Sequence, residues 1–376
     1  MRSEYVVVNR CLRYEKRSYG VKKDLTGNII KGLATIMVVI GHSWEWMTPY
    51  VYTCHLALFF FIAGLHYNEE KYSKLPTSLL EKRIASDWPK FFIYSTLFIL
   101  LRNSFIDIGF YSVEMQRYSM QESIQRVFSA LVFQNSEQMG GAMWFVPMFI
   151  INIGIFNALF FFVNRYLKPK RIGLWLVFIL ISILALYIEY SWVQLPYLYH
   201  LGLKYLPIAF IGTMISNGKI NIMKYITVPG TISSIFLLWF LINQKGMSNV
   251  YMTGNFRFVV MYYPITFLGI YVTLAITKTI KLKSKLEGII IKIGEYSFDI
   301  MALHFLAFKL VDFIYFVFNP NTRKFLDGFP TSNPEWWPFY VILGVIFPIL
   351  IINLFQETKL LLINLKHKLK SKQNYS

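Results

Sequence analysis

Lys31 and His42 stand eleven positions apart in NIIKGLATIMVVIGHSW (28–44), a stretch that is otherwise largely apolar. His55 follows in CHLALFFFIAG (54–64), and His304 closes IGEYSFDIMALH (293–304) far along the chain. Ionisable side chains within membrane-length apolar runs are rare, and they face a cavity, a partner or a pathway. Neutral imidazole takes a hydroxyl proton near neutral pH, so the chemistry on offer is general-base or nucleophilic group transfer. One such histidine alone is as well explained by a structural hydrogen bond. Two at one depth on adjacent helices favour function.

The elements that must position these groups are transmembrane helices. Of 376 residues, 55% are hydrophobic, 18% aromatic and only 15% charged, which excludes an ordinary soluble domain. Apolar runs near the length needed to cross a bilayer recur at 29–47, 51–67, 88–102, 144–163, 172–189, 203–216, 225–243, 258–277, 294–318 and 337–356. They lack the two-residue alternation of a membrane barrel, so the expected fold is all-α, a polytopic integral membrane bundle of about ten helices. A basic tail at 1–28, a membrane domain at 29–356 and a second basic tail at 357–376 make up the whole chain.

Most of the 38 Lys and Arg fall in every second loop. The positive-inside rule then places both termini in the cytoplasm. The net charge of +18 is accounted for by topology rather than by nucleic acid, and KHKLKSK (366–372) suits anionic inner-leaflet lipids. Cys11 and Cys54 fall on opposite sides of the membrane in this topology. No zinc-type His-Glu spacing or phosphate loop is present, so no metal is expected.

With the first span ending at 47 and the second starting at 51, His42 and His55 lie at similar depth, roughly 6–8 Å below the outer boundary, and can face one another. Glu45, three residues on from His42, shares its helical face and would orient it. His304 sits about 15 Å into its span. Trp144 opens the fourth span in WFVP (144–147), either as an interfacial belt residue or against a substrate. In the 103–143 insertion, Ile124, Val127, Phe128, Leu131 and Val132 recur at helical spacing, predicting a helix on the membrane surface or over the bundle. The turn-rich segment 319–337 reads as a loop ending in an interfacial Trp336–Trp337 anchor, or as an entrance for a substrate.

KGLATIMVVIGH (31–42), CHLALFFFIAG (54–64), RIASDWPKFFIY (83–94), MWFVPMFI (143–150) and IGEYSFDIMALH (293–304), in this order, resemble the motifs of the acyltransferase 3 family, and within it the fucose 4-O-acetylase-like branch of membrane acetyltransferases. The family hallmark, a basic residue, ten positions and a histidine, falls on Lys31 and His42. Asn28 replaces the usual acidic residue, and Ala63-Gly64-Leu65 the usual Ser-Gly-Tyr. The resemblance implies transfer of an acetyl group from cytoplasmic acetyl-CoA to a hydroxyl of an extracytoplasmic or lipid-linked carbohydrate. His42 would be base or acetyl carrier, with His55, Glu45 and His304 assisting. Lys31 and Arg83 would contact CoA, Trp144 would lie at the substrate, and either His55 or Trp144 could donate to the oxyanion. The rival reading is a transporter or flippase for lipid-linked glycans, in which the histidines relay protons. The internal repeats common in such folds are not evident.

Overall fold

A computed structural model of the protein describes residues 25–134, 137–191, 195–244, 256–281, 283–319, 326 and 328–373. Among these residues the secondary structure is helical, without strands. In chain order the helices are α1 (Leu25–Ser43), α2 (His55–Leu65), α3 (Ser78–Asp107), α4 (Met120–Leu131), α5 (Phe145–Tyr166), α6 (Lys170–Tyr190), α7 (Tyr199–Leu203), α8 (Leu206–Asn217), α9 (Val228–Ile242), α10 (Phe256–Ile280), α11 (Ser284–Glu295), α12 (Ser297–Phe318) and α13 (Trp337–Gln373). A 3₁₀ helix, Gln138–Trp144, leads directly into α5.

Seven helical segments among the described residues are long and apolar enough to cross a membrane, and eight if α7 and α8, bent by 54° at their junction, form one broken span. The expected count of about ten is therefore not reached by length and composition. The two shortfalls have different causes. Helix α1 carries Asn28, Lys31 and His42, and it is packed by α2, α10, α11, α12 and α13, so its polar groups face protein and cavity instead of lipid. Helix α9 has 15 residues, about 22 Å of rise against the roughly 30 Å of a hydrocarbon core.

Several boundaries also move. Helix α1 stops at Ser43, whose hydroxyl donates to Val39 O at 2.8 Å, and not at 47. The span expected at 294–318 begins at Ser297, because α11 is a separate helix laid against α1. The 37 residues of α13 continue as helix through Gln373, so the segment expected as a tail from 357 is largely an extension of the last span. Residues 1–24 of the expected N-terminal tail lie outside the described residues.

Two crossings depend on glycine. A Cβ at Gly64 of α2 would run into the backbone of Ala209 on α8, and one at Gly212 of α8 would run into Phe61 O on α2. Gly32 of α1 and Gly294 of α11 meet each other's backbones in the same way. Small residues let helices approach where lipid provides no hydrophobic drive to pack them. The α2–α8 and α1–α11 contacts anchor α2 and α1 to their outer neighbours, and α1 packs directly on α2 at the site.

Helix α4 forms where the apolar periodicity predicts it. Its start is a capping box, Ser119 accepting from Glu122 N while the Glu122 carboxylate accepts from Ser119 N. It runs back along α3: Asn103 bonds the backbone of Tyr118 in both directions, and Trp88 Nε1 donates to Leu131 O at 2.8 Å. Ile124 and Phe128 remain exposed on its outer side.

Candidate active site

Helices α1, α2, α3, α5 and α12 enclose a cavity of about 320 Å³. One end is polar, with Asn28, Lys31, His66, Arg83 and Asp87. Arg83 pairs with Asp87 at 3.9 Å and lies 5.3 Å from the Phe149 ring. The middle is apolar, with Leu56, Phe59, Phe145 and Phe149, and the other end carries His42, Tyr52, His55, Ala142 and Trp144. Lys31 and His42 share α1, so the cavity follows that helix for roughly 16 Å. Its dimensions and lining, an apolar tube with charge at one end and imidazole at the other, suit a long ligand with an anionic head.

His42 is surrounded by rings. The His304 ring stacks on it at 5.3 Å and 27°, and Phe305 meets it edge-on at 5.0 Å. Tyr52 Oη lies 3.3 Å from His42 Nδ1. On the far side of Tyr52, His55 stacks at 4.6 Å. Tyr52 thus touches both of the outer-level histidines expected to face one another, and the imidazole stacked on His42 is that of His304. The reason is the turn: after α1 ends at Ser43, the single helical turn Thr48–Val51 swings Tyr52 inward ahead of His55.

Carbonyl oxygens accept only, and this sets two tautomers. His304 Nδ1 is 3.1 Å from Ile300 O and 2.9 Å from Met301 O, so it carries the proton, and in the neutral ring Nε2 holds the lone pair. That Nε2 is buried and has no hydrogen-bond partner among the described residues. His55 Nδ1 likewise donates to Val51 O at 3.1 Å. A buried acceptor without a donor calls for an explanation, and a reacting or positioning role is one.

Lys31, Arg83 and Trp144 all line the cavity, and His304 lies behind His42. Glu45 does not join them: it is exposed on the turn beyond α1, because the helical register that would have put it under His42 ends at Ser43. Sequence reasoning missed Tyr52, His66 and Asp87. His66 ends the apolar run of α2, a position as telling as that of Lys31 on α1. Asp299, on the His304 helix, accepts from Lys90 Nζ at 3.0 Å and Tyr94 Oη at 2.8 Å, joining α12 to α3. Among the described residues no group of three or more His, Cys, Asp or Glu is arranged to hold a metal.

A bundle with this many membrane-length helices is an integral membrane protein. A family model described as an acyltransferase domain matches residues 28–353, and the chain belongs to that family, acyltransferase 3. It is accordingly a membrane acyltransferase. The cavity and His42, His55 and His304 fall within the matched residues. No curated protein and no solved structure matches the chain.

Proposed function

We propose that the protein transfers an acetyl group from cytoplasmic acetyl-CoA to a hydroxyl of an extracytoplasmic or lipid-linked carbohydrate of the cell envelope. The observation that carries this reading is the cavity joining Lys31 and Arg83 to the His42–His304 pair. The resemblance to fucose 4-O-acetylase-like proteins supports a sugar acceptor. In this reading the chain crosses the cytoplasmic membrane ten times, α1 and α9 included, with both basic ends on the donor side. Lys31 and Arg83 hold the CoA phosphates, and the pantetheine arm lies along the apolar middle of the cavity.

The acceptor hydroxyl oxygen attacks the thioester carbonyl carbon, forming the C–O bond as the C–S bond breaks. His42 takes the hydroxyl proton and passes it to the leaving thiolate, so CoA departs as free thiol. His304 holds the His42 ring by stacking, and Tyr52 fixes its Nδ1 side. The carbonyl oxygen becomes an oxyanion on the way and needs a donor. The Trp144 indole, at the same end of the cavity, supplies one; neutral His55, with its proton committed to Val51 O, does not.

The test is release of CoA thiol from acetyl-CoA by the purified protein. Native protein is expected to release thiol, and His42→Ala to fall by at least about a hundredfold, the scale of lost general-base catalysis. A transporter would release none. Equal release by His42→Ala and native protein would refute the assignment of His42.

A further inference from the structure

A second cavity, open to the surface, lies on the other side of the 3₁₀ helix Gln138–Trp144 and is lined by Arg102, Tyr118, Arg126, Glu137, Gln138 and Gly141. That short helix is a partition: Ala142 and Trp144 face the first cavity, while Gln138 and Gly141 face the second. Between the second cavity and the histidines stands one aromatic ring. A Cβ on Gly141 would sit 3.3 Å from Phe305, and Phe305 lies 4.1 Å from His304 and 5.0 Å from His42, ring to ring. Phe329 covers Phe305 at 4.7 Å. Arg102 is nineteen residues beyond Arg83 on α3, roughly 28 Å, so the two cavities lie toward opposite ends of that helix.

The lining is polar and built. Arg102 donates to Glu137 at 3.0 Å and to Gln116 O at 2.9 Å, and Tyr118 Oη donates to the other Glu137 oxygen at 2.7 Å. The Tyr118 ring has a guanidinium 4.2 Å from its centre on account of Arg102, and another at the same distance from Arg126. Glu137 answers Arg102 within the lining, and Glu122, outside it and one turn before Arg126 on α4, answers Arg126. Fixed donors and acceptors beside an aromatic ring, with each guanidinium answered by a carboxylate, are the chemistry that recognises a neutral polyol.

We propose that this second cavity is the acceptor site, that it takes a neutral, hydroxyl-rich sugar, and that Phe305 is the wall past which the acceptor hydroxyl reaches His42. The inference rests on the acetyl-transfer reading above. Donor and acceptor then approach one histidine pair from two sides, and glycine at 141 keeps the partition thin.

The experiment compares native protein, Gly141→Val, Gln138→Ala and His42→Ala at matched membrane levels. O-acetyl methyl signals of the expressing cells' surface glycan are read by proton NMR, and stabilisation of each purified protein by CoA is read as a thermal shift. Gly141→Val and Gln138→Ala are expected to lose acetylation, Gln138→Ala by roughly tenfold, as for one hydrogen-bonding partner, with the CoA shift unchanged. Should Gly141→Val fail to fold, Gln138→Ala carries the test. Native acetylation in both variants alongside a silent His42→Ala overturns the acceptor site and leaves the acetyl-transfer reading standing. Loss of the CoA shift in the folded variants also overturns it, because the second cavity would then serve the donor. No acetylation and no CoA shift in native protein overturns both.

Discussion

Helix α12 carries two buried polar regions of opposite character. At its middle, Lys309 and Asp312 are closed: Lys309 Nζ donates to Asp312 at 3.1 Å, to Leu326 O at 2.9 Å and to Gly328 O, while Asp312 accepts from Ser332 N, Ser332 Oγ and Tyr340 Oη. Five residues before Lys309, His304 is open, its Nε2 buried with no partner among the described residues. Both regions are removed from solvent, so burial alone does not separate them. Satisfaction does. A fully paired network fixes a fold, here by tying the loop around Leu326–Ser332 to α12 and α13, whereas an acceptor left unpaired in the interior is costly unless something else needs it.

The largest effect that can break this contrast is on chemistry. His42→Ala is expected to lower acetyl transfer by about 10²- to 10⁴-fold while leaving the unfolding temperature near native, measured by thiol release and thermal unfolding on one preparation. Asp312→Leu is expected to do the reverse. It strands the Lys309 ammonium and costs about 3–5 kcal/mol of stability, and the pair Lys309→Met with Asp312→Leu recovers most of that loss in thermal unfolding. A full-strength recovery of stability with native activity would mark the knot as purely structural.

Smaller effects sharpen the comparison along the cavity that holds Lys31 and along the surface. Lys31→Ala is expected to raise the KM for acetyl-CoA roughly tenfold with little change in kcat, the signature of a lost phosphate contact made equally in ground and transition states. Least of all, Ser119→Ala removes one half of the α4 capping box and costs about 1 kcal/mol. The Ser119 backbone and hydroxyl bonds hold the exposed Glu122 carboxyl below the usual carboxylate range. Its contribution is therefore present above the ordinary carboxylate pKa and is lost as pH falls through the lowered one. In Ser119→Ala, part of that acid dependence should disappear from a pH series of unfolding temperatures.

How much of this was legible beforehand follows from what each signal reports. Apolar run length identifies helices, so the all-helical membrane bundle was readable, and the periodicity at Ile124, Val127 and Phe128 marked α4. Run length does not report packing, and α1 passes as a span in the sequence although its polar residues depend on neighbours for cover. Lys31 and Arg83, singled out in the sequence, line one end of the cavity, and His42 lines the other. The pairing was not legible: His304 lies some 260 residues from His42 in the chain, and only the packing of α12 on α1 brings their rings together. Glu45 was lost to a helix end that no proline or glycine announces. The capping box at Ser119–Glu122 was present in the sequence as S-x-x-E and went unused.

The most direct test of the central claim is proton NMR of surface glycan from cells carrying the native chain or His42→Ala at equal membrane levels. Acetyl methyl signals present with the native chain and absent with His42→Ala are the predicted result. The same signals at the same intensity in both would contradict the claim that this histidine performs the transfer.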